Sequence, residues 1–224
     1  MPINKNLERK FRKTYGADLL PVSFTECKLG DIVEWDGFIS KSIDLEQISL
    51  VHLLKIEEFK KRRLITQLSQ VELHAAAFQQ ITIDKHFDIQ AGVDIPNIAA
   101  GISADIGFES FINYRISDVN CRILGGELKV ELMQLLGQAK KEDPKYFRTK
   151  LKKLFFIEKL FYAGQVSFEL KSEAKGKLVA ALGKAKIADP RLSFTSSGNA
   201  IVTFPGSTTI PFAADIEPCM DLVD

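Results

Sequence analysis

The stretch "IPNIAAGISADIGFESFINYRISDV", Ile95 to Val119, decides the fold of this chain. From Ile98 onward its even positions are almost all apolar, whereas its odd positions are mostly small or polar. Alternation with a period of two is typical of a β-strand that has one face in water. Strands in globular proteins usually have about 5–6 residues. The stretch therefore predicts an unusually long strand with two different faces.

The residues before this stretch alternate in the same way, from Ile81 to Ile95. Pro96-Asn97 then interrupts the pattern, so the two halves predict a hairpin of two long amphipathic strands. The larger apolar positions of this hairpin are Phe87, Ile89, Val93, Ile95, Ile98, Ile102, Ile106 and Phe108.

A second alternating region follows in "KLFFIEKLFYAGQVSFELKSE", and "KGKLVAALGKAKIADP" leads back from it toward Pro190. The pattern predicts a second pair of strands, over about residues 154–188. Its apolar positions include Leu160, Tyr162, Val166, Phe168 and Leu178.

Composition places the chain among ordinary globular proteins. It has 224 residues, 46% of them hydrophobic and 26% charged, which suits one large domain or two small ones. The net charge of +1 hides basic runs at residues 5–13, 60–63 and 145–153 and an acidic end. Separated patches suggest a charged partner surface or self-association. A pI of 7.7, with aromatic residues that do not interleave with the basic ones as stacking platforms would require, argues against nucleic acid.

The compartment is predicted from the cysteines and from the absence of targeting segments. Cys27, Cys121 and Cys219 lack the spacing of a zinc site or a disulfide framework, which fits a reducing cytosol. The N-terminal residues have no apolar signal-peptide core, and no window approaches the roughly 18–20 apolar residues of a membrane helix. We therefore expect a cytoplasmic protein.

The remaining patterns predict helices between the strands. Residues 3–15 have the spacing of an amphipathic helix that ends at Gly16, and residues 125–142 return to helical spacing. The first half of residues 44–80 has helical spacing. The second half fits either a helix or a strand. The predicted class is α+β, with a twisted, mostly antiparallel sheet, long amphipathic hairpins, a basic N-terminal helix and several short helices.

A search for catalytic chemistry finds no phosphate loop, nucleophile elbow or zinc motif. Asp84, His86 and Asp88 alternate along one strand and could in principle bind a metal, although a solvated polar face is the favoured interpretation. Glu158 interrupts an apolar strand, and we expect a nearby Lys or Arg to pair with it. No enzymatic activity, cofactor or metal site is predicted.

Five cations surround the apolar positions of the first helix, namely Lys5, Arg9, Lys10, Arg12 and Lys13. Cations on a short amphipathic helix suit an anionic lipid surface, where each contributes roughly 1 kcal/mol. An ordinary solvated helix docked by its apolar side fits the same pattern. The residues alone leave both interpretations open.

The long hairpins also allow two interpretations. A transmembrane β-strand needs about 9–11 alternating residues, and both regions meet that requirement. A single hairpin would leave backbone groups unpaired in hydrocarbon, so spanning requires many chains closed into a ring. A large half-buried antiparallel sheet in an ordinary α+β protein is the interpretation that the pattern alone favours.

The order of these elements resembles the pore-forming domain of the gasdermins. The resemblance rests on "LLPVSF" in the first strand, on "DPKYFRTKLKKLFFIEKLFYAGQVSFELKSE" and on "NAIVTFPGSTTIPFAADIE" near the end. It extends over roughly residues 3–216, in the succession of basic helix, long hairpin, short helices, strand with a glutamate, and final strand with a Pro-Gly-Ser turn.

The resemblance implies a non-enzymatic pore former that binds acidic membrane lipids, forms a homo-oligomer and inserts two regions of each chain as a β-barrel. Lipid binding would then fall to Lys5, Arg9, Lys10, Arg12 and Lys13. The inserting regions would cover about residues 86–117 and 154–188, with Trp35 and Phe38 matching an aromatic loop tip. Such a protein would be cytoplasmic when inactive and would lie in the cell's inner membrane when active, killing or arresting its own cell in defence.

The resemblance further implies a pore-forming domain over residues 1–216 and an acidic C-terminal tail over residues 217–224, whose removal by a protease would activate the chain. Control by a regulatory partner protein is the alternative. Bacterial gasdermins carry an acylated cysteine near the N-terminus, and this chain has none before Cys27. The rival to pore formation is a soluble α+β module that binds a lipid or a protein without entering a membrane.

Overall fold

The computed structural model of the chain describes residues 5–20, 27–34, 50–84, 110–145, 154–174, 176–177, 191–205 and 211–219. The helices are α1 (Lys5–Tyr15), α2 (Leu50–Leu53), α3 (Glu58–Ser69) and α4 (Gly126–Glu142). The strands are β1 (Asp18–Leu19), β2 (Ile32–Glu34), β3 (His74–Ala75), β4 (Gln80–Asp84), β5 (Phe111–Ser117), β6 (Asn120–Ile123), β7 (Leu154–Tyr162), β8 (Gln165–Leu170), β9 (Arg191–Phe194), β10 (Ala200–Pro205) and β11 (Ala213–Pro218).

Local sequence explains where several helices lie and end. Gly16 adopts φ +67° and its amide donates to the Arg12 carbonyl at 2.9 Å, so α1 ends at the predicted glycine. Leucines four residues apart, such as Leu132 and Leu136 of α4, are buried along one side of a helix. Where the sequence allowed either helix or strand, the structure has helix α3 through Ser69 and strand β3 from His74.

The α+β prediction is confirmed, but the strands form two sheets rather than one. The first sheet has the order β1-β11-β7-β6-β3, and β2 also pairs with β7. The second sheet has the order β4-β5-β8-β10-β9. Every pairing between the described strands is antiparallel.

Three of the places where the chain passes between the two sheets contact one another. These places are residues 76–79, 118–119 and 163–164, which together we call the junction. The amide of Ala76 donates to the Val119 carbonyl at 2.9 Å, and the amide of Gly164 donates to the Asp118 carbonyl at 3.0 Å. Residues distant in sequence thus hold these three crossings together.

Two groups of buried side chains form the core. Core cluster 1 joins α1, the second sheet and one face of the first sheet. Its members are Phe11, Ala17, Leu19, Ala76, Ile81, Tyr114, Ile116, Val119, Cys121, Phe161, Ala163, Val166, Phe168, Leu170, Ala174, Ala200, Val202, Phe212 and Ala213.

Core cluster 2 joins the other face of the first sheet to helices α2, α3 and α4. Its members are Leu20, Cys27, Leu29, Ile32, Val33, Leu50, Val51, Leu54, Leu64, Leu68, Leu124, Leu132, Leu136, Phe156, Ile157, Leu160, Tyr162, Ala214, Ile216 and Cys219. Consecutive residues of β7 divide between the clusters, since Leu160 and Tyr162 lie in cluster 2 and Phe161 lies in cluster 1.

One part of the predicted strand arrangement is wrong. Residues 154–170 do not form a single strand of a hairpin, because β7 belongs to the first sheet and β8 to the second. The break falls at Ala163-Gly164, within the junction. The residues predicted to lead back from this region, 178–190, lie outside the described part of the chain.

Candidate membrane-interaction site

Helix α1 docks through aromatic side chains. Phe11 is 3% exposed and lies in core cluster 1. Its ring centroid is 4.8 Å from that of Tyr15, which in turn is 5.0 Å from Phe78; Phe78 is 4.9 Å from Phe161. This aromatic series connects the helix to the junction and to the first sheet, so α1 is part of the same packed core as the second sheet.

The described cations of α1 differ in their surroundings. Arg9 and Lys13, one turn apart, are both exposed. Arg12 instead forms an ion pair with the carboxylate of Asp18, which is itself buried. Lys5 and Lys10 belong to the helix, but their side chains lie outside the description. Arg9 and Lys13 are therefore available to an external anion, whereas Arg12 has a structural partner.

The second sheet has one apolar face and one polar face. Ile81, Ile116 and Val166 lie in register across three strands and are all buried. On the opposite face, Thr82 and Arg115 are exposed, and the next residue in that row is the half-buried Ser167. The alternation predicted from the sequence is thus confirmed at the described base of the first hairpin.

The polar face is tied together near one end of the second sheet. The Glu169 carboxylate accepts hydrogen bonds from the side-chain amides of Asn113 at 2.7 Å and Asn199 at 3.0 Å. One row below, the hydroxyls of Ser167 and Thr203 are 3.1 Å apart. These contacts join β5, β8 and the β9–β10 turn in a fixed register.

Both predicted inserting regions leave the second sheet at that same end. Strand β4 ends at Asp84, which pairs with Asn113 of β5. Strand β5 begins at Phe111, opposite Leu170, the last residue of β8. The two connections to residues 85–109 and the connection to residue 171 therefore lie at the same end of the second sheet. The sequence did not indicate this proximity, because it depends on the pairing of β5 with β8.

The predicted inserting residues fall into three groups. Leu160 and Tyr162 lie in core cluster 2, whereas Val166 and Phe168 lie in core cluster 1 beside the base of the first hairpin. The others lie outside the described residues: Phe87, Ile89, Val93, Ile95, Ile98, Ile102, Ile106, Phe108 and Leu178. The same holds for the predicted loop tip, Trp35 and Phe38.

A charge cluster surrounds the glutamate that interrupts β7. The Lys129 ammonium lies 2.5 Å from a carboxylate oxygen of Glu158 and 2.7 Å from one of Glu217. The Lys159 ammonium lies 2.7 Å from the Asp215 carboxylate. We call these five residues the β7 charge cluster. The predicted cation partner of Glu158 is confirmed, but the other acids joined through the two lysines were not predicted.

The pKa values of both lysines follow from this arrangement. Burial lowers the pKa of the Lys129 ammonium, but the hydrogen bonds and charges of Glu158 and Glu217 outweigh burial and raise it above its ordinary value. Burial also lowers the pKa of the Lys159 ammonium, but the hydrogen bond and charge of Asp215 outweigh burial and raise this pKa above its ordinary value. Both lysines are therefore held as cations.

The described residues offer little reactive chemistry. No group of three His, Cys, Asp or Glu side chains within them could hold a metal ion. His86 and Asp88 of the weighed metal site lie outside the description. Burial raises the pKa of all three thiols, Cys27, Cys121 and Cys219, so each is a poor nucleophile. None of the described helices is both long and apolar enough to cross a membrane.

Comparison with known proteins gives a similarity at the level of structure. No protein-family model matches the chain, and no curated protein matches it. Among solved structures, the chain is similar to a bacterial gasdermin from Bradyrhizobium tropiciagri, with a TM-score of 0.45 and 11% identity over 95% of this chain and 87% of that one. This TM-score is too low to establish a shared fold.

Proposed function

We propose that this chain is a gasdermin-like pore-forming protein. It binds an acidic membrane through α1, assembles with further copies of itself and inserts two amphipathic regions per chain into a large transmembrane β-barrel. The opened membrane kills or arrests the cell that makes the protein, in defence against infection. A protease or a regulatory partner releases the activity. This function requires no catalytic group.

The observation that carries the proposal is the common departure of the two regions from one end of the second sheet. The first region leaves this end of the sheet after Asp84 and rejoins it at Phe111, and the second region passes Leu170 at the same end. Neighbouring strands that lengthen together at one end form a wider sheet of continuous hydrogen bonds. Such a sheet supplies the paired backbone that a membrane requires.

The two faces of the second sheet also fit a barrel wall. Its apolar face contains the buried Ile81, Tyr114 and Ile116, and its polar face contains the exposed Thr82 and Arg115. In a β-barrel, apolar side chains face lipid while polar side chains face the water-filled interior. In the monomer the same apolar face is covered by core cluster 1.

The packing of α1 links lipid binding to release of the second sheet. Phe11 of the helix and Val166 and Phe168 of the sheet belong to one core cluster. A membrane that attracts Arg9 and Lys13 acts on a helix whose Phe11 belongs to the same core cluster as the apolar face of the inserting strands. Movement of α1 toward lipid therefore loosens the packing that retains the sheet.

The test is dye release from anionic liposomes. We compare the full chain with a chain ending at Cys219, since Glu217 and Pro218 belong to β11 and Cys219 is buried. Leakage from either protein supports the proposal. Leakage from the shortened protein alone shows in addition that the tail controls the activity. The predicted domain boundary at residue 216 is a separate prediction, which this comparison does not test. No leakage from either protein, with folding verified by circular dichroism, contradicts the proposal.

A variant pair separates pore formation from the rival soluble module. Ile102→Asp with Ile106→Asp places charge on the apolar positions of the first hairpin, where a charge facing lipid costs several kcal/mol. Gly101→Asp with Ser103→Asp adds the same charge to the alternate positions. A pore former loses leakage only with the first pair. Equal losses from both pairs count against insertion.

A further inference from the structure

Asp18 is a buried carboxylate next to the helix that we propose binds lipid. Its side chain is only 1% exposed. Strand β1 fixes the residue in the first sheet, where Asp18 pairs with Ala214 of β11. Just beyond the strand, the Leu20 amide donates to the Phe212 carbonyl at 2.9 Å. A carboxylate in such a position is strongly unfavourable unless a cation or hydrogen-bond donors compensate its charge.

Arg12 provides a cation for this carboxylate from α1. Its guanidinium forms an ion pair with Asp18, and the Arg12 side chain is 38% exposed. The pair therefore has its anion in the core and its cation at the surface. Arg12 also lies in the last turn of the helix, where the helix dipole favours cations and disfavours carboxylates. Moving α1 away from β1 would take this cation from Asp18, which is costly for a buried ion pair.

The chain between α1 and β1 contains a glycine at which the two elements can separate. Gly16 is exposed and adopts φ +67°, and no described atom lies within 4 Å of a Cβ placed on it. Glycine adopts positive and negative φ with little difference in energy. Rotation at Gly16 would carry Arg12 away with the helix and would leave Asp18 paired within the first sheet.

Arg9 and Lys13 can contact a membrane while Arg12 is still paired. Both side chains are exposed, and their spacing of four residues places them on one side of α1. A headgroup phosphate near them offers Arg12 a bidentate partner of the same kind as a carboxylate. A membrane surface can bind all three cations at once, which a free phosphate ion cannot do. The exchange leaves Asp18 without this cation, so it is offset only where anionic headgroups are dense.

We infer that Asp18 sets the density of anionic lipid that the protein requires, because it holds Arg12 until a headgroup phosphate takes its place. This inference rests on the proposed function and deepens it. Arg9 and Lys13 make the first contact with the membrane, and Arg12 joins them only when α1 moves away from β1. Asp18 itself contacts no lipid and is a positioning residue that acts through Arg12.

Vesicle flotation tests the inference, with phosphatidylcholine vesicles that contain a rising fraction of phosphatidylglycerol. Four proteins are compared: the unaltered chain, Asp18→Asn, Arg12→Gln and the variant with both changes. At the lowest phosphatidylglycerol fraction that binds the unaltered chain, Asp18→Asn should bind about five-fold more tightly, which is the contribution of one cation near an anionic surface. Arg12→Gln, alone or with Asp18→Asn, should bind as the unaltered chain does, because Arg12 does not yet contact lipid there.

The matched control for the change in net charge is Glu72→Gln. Glu72 is exposed in the segment between α3 and β3, and its replacement removes the same single negative charge as Asp18→Asn. Binding of this control should equal that of the unaltered chain. A five-fold gain from the control would show that net charge, and not the release of Arg12, explains the result for Asp18→Asn.

Three further results overturn the inference. If Asp18→Asn binds no more tightly than the unaltered chain, Asp18 does not restrain Arg12. If Asp18→Asn gives an equal gain with and without Arg12, the change acts by loosening the fold in general. If Arg12→Gln alone weakens binding about five-fold at the lowest phosphatidylglycerol fraction, Arg12 already contacts lipid while it is paired.

Folding and the identity of the ligand are checked separately. Circular dichroism verifies the fold of each variant, and Asp18→Ala, which should show the same gain, replaces Asp18→Asn if that variant does not fold. A second series adds inorganic phosphate to vesicles of phosphatidylcholine alone, and binding there overturns the assignment to an anionic headgroup. Absence of dye release from a chain that floats with the vesicles contradicts the proposed function instead, so the two failures are distinguishable.

Discussion

Gly164 and Asp118 lie so close that a side chain on Gly164 would overlap the backbone of Asp118. A Cβ atom placed on the glycine would be 2.5 Å from the Asp118 carbonyl oxygen, the same atom that accepts the Gly164 amide hydrogen bond. The contact joins two crossings between the sheets, one from the second sheet to the first and the other in the reverse direction.

Replacing this glycine should therefore destabilise the whole fold. We expect Gly164→Ala to lower the free energy of unfolding by about 2–3 kcal/mol, because the backbone must shift to admit the methyl group. Urea unfolding followed by circular dichroism measures the change. The matched control is Gly137→Ala in α4, where nothing lies within 4 Å of the added atom. The control should be neutral or stabilising, by up to about 1 kcal/mol. Similar losses from both changes would show that the contact at Asp118 is unimportant.

Lys129 should matter more to stability than a comparable exposed cation. Lys129→Met leaves the half-buried carboxylates of Glu158 and Glu217 without their shared cation, and we expect a loss of about 2–3 kcal/mol. Arg63→Met is the control, because Arg63 pairs with Glu131 on a more exposed surface, and it should cost less than about 1 kcal/mol. Urea unfolding of both variants checks the difference. An equal effect would contradict a structural role for the β7 charge cluster.

Tyr114 offers a test of a buried hydroxyl. Its side chain is fully buried in core cluster 1, and its oxygen has no hydrogen-bond partner among the described residues. Removing an unpaired hydroxyl from a core is neutral or favourable. We expect Tyr114→Phe to leave the free energy of unfolding unchanged or to raise it by up to about 1 kcal/mol. A clear loss, measured by thermal unfolding, would reveal a partner outside the described residues.

Reversing the exposed charges of α1 should separate binding from folding. Each cation near an anionic surface contributes roughly 1 kcal/mol, so Arg9→Glu with Lys13→Glu should weaken vesicle binding by about 30-fold or more. The melting temperature should stay the same, since both side chains are exposed. Vesicle flotation measures the binding, and Arg9→Lys with Lys13→Arg is the control that keeps the charge. Unchanged flotation of the reversed variant would remove α1 from the membrane contact.

The buried thiols predict a loss of stability in alkaline solution. Burial raises the pKa of Cys219 to about 12, whereas an unfolded cysteine ionises near pH 8.5. The stabilisation is complete below about pH 8.5 and is lost as the pH rises toward the folded value, because only the unfolded chain then releases the proton. Between about pH 7.5 and 9.5, Cys219→Ala should reduce the pH-dependent loss by about 1.4 kcal/mol. Urea unfolding at both pH values checks this, and an unchanged pH dependence would contradict it.

Several features could be predicted because they depend on neighbours in sequence. The end of α1 at Gly16, the apolar face of Tyr114 and Ile116, and the need of Glu158 for a cation all follow from local spacing and side-chain chemistry. The choice between helix and strand for the second half of residues 44–80 stayed open in the sequence, because tertiary packing overrides weak local propensity.

By itself, the sequence determined the α+β class, the basic first helix and the alternation of the strands, since each is a property of a short continuous segment. Only the tertiary structure decided that residues 154–170 divide between two sheets and that β8 lies beside β5. The division depends on the contact of Gly164 with Asp118, 46 residues earlier in the numbering. No local pattern specifies such a contact, because alternation records which side of a strand is apolar and not which strand lies next to it.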